Sequence, residues 1–218
     1  MSLPPLSSFQ AAIVDLDGTL VDTLGDFTVA LNGTLAELAL PTLERAAIER
    51  MVGKGSEHLI RSALHAVGAH ADRFRDAWEA YQRHYDATNG RHAEVYPGAA
   101  EGLRRLREAG LRLACVTNKP QRFARDLLAA KGLLDAFEHV FGGDAFEHKK
   151  PHPQPLLKAC EALGSEPART LMVGDSSNDA AAARAAGCPV VLVTYGYNHG
   201  EPVTAVDADA WVETLAAL

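Results

Sequence analysis

Beyond Tyr96-Pro97-Gly98 the chain alternates helix-like and strand-like segments to its end, and that alternation constrains the fold more than any other feature. Helical periodicity over residues 99–109, 122–131, 153–163 and 177–186 is interleaved with short apolar runs at 111–116, 139–141, 170–173 and 190–194. Gly110, Gly132, Gly164 and Gly187 stand where those helices should stop. Parallel strands need a crossover of a dozen or so residues, usually a helix, so this order builds a parallel sheet covered on both faces. A fifth apolar run, Ala11-Ala12-Ile13-Val14, lies far upstream and has the uniform apolarity of a strand buried on both sides. The expectation is a doubly wound α/β domain of five parallel strands.

Between the first strand and the others the pattern is helical throughout. Segments 27–40, 43–51, 57–67 and 71–85 are separated by Gly33, Pro41, Gly53, Gly55 and Gly68, and Leu31, Leu35 and Leu38 repeat at helical spacing. Residues 22–91 therefore read as an inserted helical unit, with 1–21 and 92–218 forming the α/β core.

The balance of charge narrows the partners. A formal charge of −7 without a basic stripe argues against nucleic-acid binding, which requires Lys and Arg along a phosphate backbone. Cys115, Cys160 and Cys188 lack metal-ligand spacing and read as reduced core residues. No apolar stretch approaches membrane-spanning length, and residues 1–8 lack the pattern of a signal peptide, so the expected location is cytoplasmic. The acidic surface is compatible with a monomer or a homodimer. A small anionic substrate would then need a local metal or lysine.

Chemistry-bearing residues follow the strands. Asp15-Leu16-Asp17-Gly18-Thr19 comes directly after the first, at the carboxyl end where open α/β sheets bind ligands. With a divalent metal, one carboxylate can attack phosphorus while the other handles a proton; Gly18 permits a sharp turn, and Thr19 offers a hydroxyl to a phosphate oxygen. Alone, the pair also fits a capped, solvated turn. Thr117-Asn118 follows the second strand and suits either a phosphate or a helix cap. In Lys149-Lys150-Pro151 the proline constrains Lys150, making it the better candidate to neutralise a phosphate. Asp175 and Asp179 follow the fourth strand in Gly174-Asp175-Ser176-Ser177-Asn178-Asp179: Asp175 suits a magnesium site with Asp15 and the carbonyl of Asp17, while Asp179 suits a water ligand or an orienting role toward Lys150.

In combination, Asp15-x-Asp17-Gly18-Thr19, Thr117-Asn118, Lys150-Pro151 and Gly174-Asp175 with Asp179 resemble the four motifs of the haloacid dehalogenase superfamily, in the family's order and across nearly the whole chain. The resemblance implies strand order 3-2-1-4-5, a helical cap inserted after the first strand, and Mg²⁺. It implies Asp15 as the nucleophile that becomes an aspartyl-phosphate, Asp17 as acid and then base, Thr117, Asn118 and Lys150 around the phosphoryl group, Asp15, Asp17 and Asp175 as metal ligands, and Asp179 behind them.

Finer stretches, namely Leu20-Val21-Asp22-Thr23, Val52-Gly53-Lys54-Gly55, Lys149 to Pro153 and Thr194-Tyr195-Gly196-Tyr197-Asn198, resemble the phosphoglycolate phosphatase subgroup. The implied activity is Mg²⁺-dependent hydrolysis of 2-phosphoglycolate or a similar small phosphorylated acid. Lys54, between glycines in the helical unit, is a candidate for a substrate carboxylate or a solvated loop residue. Alternatives are a sugar-phosphate mutase of the β-phosphoglucomutase type, a broad-specificity phosphatase and, from a different class, a phosphorylatable receiver domain; a receiver needs neither an inserted lid nor a leaving-group acid.

Overall fold

The computed structural model describes residues 4–218; Met1 to Leu3, the start of the expected core segment and of the 1–8 stretch, lie outside the described residues. Strand β1 (Ala11–Val14) is followed by a two-residue strand β2 (Val21–Asp22) and four helices, α1 (Leu24–Glu37), α2 (Arg45–Glu49), α3 (Ser56–Ala66) and α4 (Phe74–Thr88). Strand β3 (Glu94–Val95) pairs antiparallel with β2, so one short ribbon carries the chain out to the helices and back. Then come α5 (Ala99–Glu108), β4 (Arg112–Val116), α6 (Gln121–Ala130), β5 (His139–Phe141), α7 (Gln154–Leu163), β6 (Thr170–Gly174), α8 (Ser177–Ala186), β7 (Val190–Val193) and β8 (Ala210–Val212).

The main sheet has order β5-β4-β1-β6-β7-β8, with every pairing parallel. The five expected strands take the expected order 3-2-1-4-5. The sheet has six strands rather than five, because β8 adds to the edge beside β7. Ala210-Trp211-Val212 is too short for a period-two signal, is flanked by Asp209 and Glu213, and leaves Trp211 exposed. The β2–β3 ribbon was illegible for the same reason of length.

Side chains alternate across the sheet. Ala12 and Val14 of β1, with Leu113 and Cys115 of β4 and Leu171 and Val173 of β6, pack on α5 and α6 through Leu103, Leu106, Leu127 and Leu128. Ala11 and Ile13, with Ala114, Val116 and Met172, meet α7 and α8 through Leu156, Ala159, Ala182 and Ala183. Burial on both faces explains why these strands read as continuous apolar runs. All three cysteines are free and buried. The helices between β2 and β3 have a separate core of Phe27, Leu31, Ile48, Leu59, Ile60 and Tyr81, joined by Phe123 and Tyr197 from the sheet side. No helix among the described residues is long and apolar enough to cross a membrane.

The register positions the site. Val14 lies opposite Cys115 on one side and Val173 on the other. Asp15, Thr117 and Asp175 therefore emerge together at the carboxyl edge, beneath the helices.

Candidate active site

The loop after β1 turns on the carbonyl of Leu16, which accepts the N–H groups of Thr19, Leu20 and Val21 at 3.3, 3.0 and 3.1 Å. Gly18 has φ +84°, and a Cβ there would fall 2.3 Å from Asp175 Oδ2, so both conformation and space require glycine. Thr19 departs from expectation. Its fully buried hydroxyl donates to Asp175 Oδ1 at 3.0 Å, so its proton is committed to that carboxyl, and Thr19 does not line the cavity.

Asp15, Lys150, Asp175 and Asp179 form one buried cluster. Lys150 Nζ donates to Asp179 Oδ1 and to the Val116 carbonyl, each at 2.7 Å, and lies 2.9 Å from Asp15 Oδ1. That Asp15 oxygen is fully buried, and the Lys150 ammonium is its ion-pair partner. Asp179 Oδ2 accepts from Ser176 Oγ and from the N–H groups of Ser176 and Asp175, at 2.8, 3.1 and 3.2 Å, making the capping box of α8. Asp175 accepts from Thr19 and, at 2.6 Å, from the N–H of Tyr197. Burial pushes the Asp15 carboxyl up to about 7, against the lowering effect of Lys150. Burial, with the charges of Asp179 and Asp15, likewise holds Asp175 well above the usual carboxylate range. Lys150 is raised by its two aspartates despite the opposing effect of burial.

This donor set fits a divalent cation. One oxygen each from Asp15, Asp175 and Asp179 lie within 4.8 Å of one another. Counted as ionised, the carboxylates of Asp15, Asp17, Asp175 and Asp179 exceed the two ammonium groups, Lys119 and Lys150, by two charges that a divalent cation would balance; without one, burial favours the protonated forms of Asp15 and Asp175. All-oxygen ligands suit Mg²⁺. Asp179 accepts from Lys150 and from three donors of the capping box, Asp175 from one donor on each oxygen, so Asp15 and Asp175 keep more acceptor capacity for direct ligation.

Thr117 and Asn118 stand at the end of β4. The Thr117 hydroxyl accepts the Lys119 N–H at 3.3 Å. Asn118 is expected at the phosphate, but its side chain is committed elsewhere. Its amide donates to the carbonyls of Gly53 and Lys150, both at 2.9 Å, and its Oδ1 accepts the Lys150 N–H at 3.0 Å. It thus clamps the loop before α3 to the lysine loop.

Lys54 is not brought to the cavity. Gly53 and Gly55 line the cavity, whereas the side chain of Lys54 between them is exposed. Its charge, after burial, lowers the pKa of His58 and His199. The Gly53 carbonyl faces inward, held by Asn118 and, at 3.3 Å, by Asn178.

The residue missed in the sequence is Lys119. It is buried, its Nζ lies 3.0 and 3.3 Å from the two oxygens of Asp17, and it contacts the Tyr85 hydroxyl. Its only signal was adjacency to Thr117-Asn118, because the partners Asp17 and Tyr85 are distant in the chain. The cavity between Asp15, Asp17, Thr117 and Asp175 below and Phe27, Val52, Leu59 and Tyr85 above is narrow, about 30 Å³, room for a water molecule or two.

Comparison with known proteins agrees with this arrangement. The family described as haloacid dehalogenase-like hydrolase matches residues 9–187. The phosphoglycolate phosphatase of Nitrosospira multiformis is 46% identical over 209 residues, covering 94% of this chain and 92% of that protein. That of Thiobacillus denitrificans is 43% identical over 210 residues, covering 95% and 92%. The crystal structure of a predicted phosphoglycolate phosphatase from Haemophilus somnus superposes with a TM-score of 0.92 at 32% identity, covering 96% of each chain.

Proposed function

Because the chain belongs to the haloacid dehalogenase-like hydrolase family, as a phosphoric monoester hydrolase of the phosphoglycolate phosphatase-like subgroup, we propose that it dephosphorylates 2-phosphoglycolate or a similarly small phosphorylated acid through a phosphoaspartate on Asp15. The observation that carries this reading is the buried carboxyl of Asp15, which lines the cavity beneath the helices and has Lys150 Nζ 2.9 Å from its Oδ1.

Mg²⁺ held by Asp15, Asp175 and the main-chain carbonyl of Asp17 would offset the repulsion between the nucleophile and a phosphoryl dianion. Asp15 attacks phosphorus as the bond to the leaving oxygen breaks, and Asp17 gives that oxygen its proton. Asp17 then takes a proton from the water that attacks the phosphoaspartate, releasing phosphate and restoring Asp15. Lys150 and Thr117 hold the phosphoryl oxygens, while Asp179 fixes Lys150. The helices α1 to α4 act as a cap on the core, excluding bulk water until the leaving group has been protonated.

Phosphate release from 2-phosphoglycolate, sugar phosphates and nucleotides, each with Mg²⁺ and with a chelator, tests the proposal. Metal-dependent preference for 2-phosphoglycolate supports it. Equal rates across the panel favour a broad-specificity phosphatase, and phosphoryl transfer without net release favours a mutase. The variant Asp15→Asn should retain the fold and lose at least about four orders of magnitude in kcat, as removal of a nucleophile does; retained turnover would overturn the role of Asp15.

A further inference from the structure

The substrate's organic part must occupy the space left between the phosphoryl site and the helices, and that space has one source of positive charge. Among the described residues lining the cavity, Lys119 alone is cationic. Lys150, beside Asp15 and Asp179, serves the phosphoryl group and does not line this space, and the side chain of Lys54 is exposed. The upper wall is otherwise uncharged, formed by Phe27, Val52, Leu59 and Tyr85 with Ser56 and the backbone of Gly53 and Gly55.

Resting on the reading of a small phosphorylated acid as substrate, we propose that Lys119 is the specificity-determining residue that takes the substrate carboxylate, and that this carboxylate replaces Asp17 as the lysine's partner. The Lys119 side chain is 1% exposed, so its ammonium requires a counter-ion at every stage. It is paired with both oxygens of Asp17, at 3.0 and 3.3 Å, in the geometry a substrate carboxylate reproduces. Exchanging one carboxylate for another keeps the lysine paired, and the charge stays balanced because the released Asp17 carries the proton that it gives to the leaving oxygen. The exchange also releases Asp17, two residues from Asp15, to face the leaving oxygen.

Chain length follows from the same contacts. Asp17 serves the leaving oxygen, and Lys119 is one ion-pair distance beyond it, within reach of a carboxylate separated from that oxygen by a single carbon. The ammonium is backed by the Phe27 and Tyr85 rings, 4.7 and 4.8 Å from Nζ to their centroids, so longer acids meet an aromatic wall. A phosphomonoester without a carboxylate leaves Asp17 on Lys119.

The decisive measurement is competitive inhibition by two stable phosphonates, 3-phosphonopropionate and propylphosphonate, which differ in the carboxylate. The wild-type enzyme should bind the carboxylate-bearing compound more tightly by about ten- to a hundredfold, the range of a charge-assisted hydrogen bond. Lys119→Met should reduce that ratio to about threefold or less, while Lys119→Arg should restore much of it. Should Lys119→Met fail to fold by thermal melting, Lys119→Gln decides by the same ratio measured by calorimetric binding. An undiminished ratio in the neutral variant overturns the role of Lys119 and leaves the acid-substrate reading standing. Equal weakening of both compounds also overturns it, making Lys119 only a positioning residue for Asp17. Equal affinities in the wild-type enzyme overturn both readings.

Discussion

Tyr197 ties the Asp175 carboxylate to the first strand of the ribbon leading to the helices. Its N–H donates to Asp175 Oδ2 at 2.6 Å, while its hydroxyl contacts Asp22 and accepts the N–H groups of Thr23 and Leu24 at 3.0 and 3.1 Å. One residue therefore joins the floor of the site to the start of α1, where the Tyr197 ring also packs in the helical core.

Tyr197→Phe removes this hydroxyl and strands the buried Thr23 N–H, while the Leu24 N–H keeps Asp22 Oδ1 at 3.1 Å. The substitution should destabilise the fold by about 1–3 kcal/mol, the cost of an unsatisfied buried polar group. Urea denaturation followed by circular dichroism checks the value; an unchanged midpoint would show that the hydroxyl contributes nothing.

Gly196 allows the close approach that precedes Tyr197. A Cβ at this position would lie 2.2 Å from the Cβ of Asp175. Gly196→Ala should displace that carboxylate and weaken Mg²⁺ binding by about ten- to a hundredfold, as loss of support behind a metal ligand does. Isothermal titration with Mg²⁺ measures the effect independently of turnover.

Asp179 neutralises Lys150 and completes the capping box of α8. Asp179→Ala should cost about 3–5 kcal/mol, the penalty for breaking a buried ion pair. Scanning calorimetry at fixed Mg²⁺ concentration provides the test, and a loss below about 1 kcal/mol would contradict the buried pairing.

The metal-free protein should lose stability as pH rises. Burial raises Asp15 from 3.8 to about 7 and Asp175 well above 3.8, so between these limits the folded state holds more protons than the unfolded state. Stability changes with pH in proportion to protons bound unfolded minus folded, which is negative here. The contribution is fully present below about pH 4, where both states are protonated, and is lost progressively as pH rises toward and through the folded pKa values. In chelator the melting temperature should therefore fall between pH 5 and pH 7.5. Added Mg²⁺ should raise it more at pH 7.5 than at pH 5, because the cation binds the ionised carboxylates. Equal stabilisation at the two pH values would argue against a carboxylate metal site.

Much of the site was legible because strand ends in a parallel sheet share one edge. Once residues 11–14, 111–116 and 170–173 were read as strands, Asp15, Thr117 and Asp175 had to emerge together, and the register of β1 between β4 and β6 places them so. Local chain geometry accounts for Gly18 and for Asp179 at the start of α8.

The pairings between distant segments were not legible. Thr19 belongs to Asp175, Asn118 to Gly53 and Lys119 to Asp17 and Tyr85, and each pairing depends on how the helical unit and the loops close over the sheet edge. A lysine after Thr117-Asn118 has no local feature that distinguishes it from a solvated one, and the glycines around Lys54 do not specify which way its side chain turns. Periodicity and turn chemistry act over a few residues, so the sequence by itself determined the parallel sheet and the acidic edge, while the strand order followed only from the resemblance of its motifs. Which cations are buried there, and which carboxylate each one holds, was decided only by tertiary packing, since a buried charge persists only where the whole chain brings it a partner.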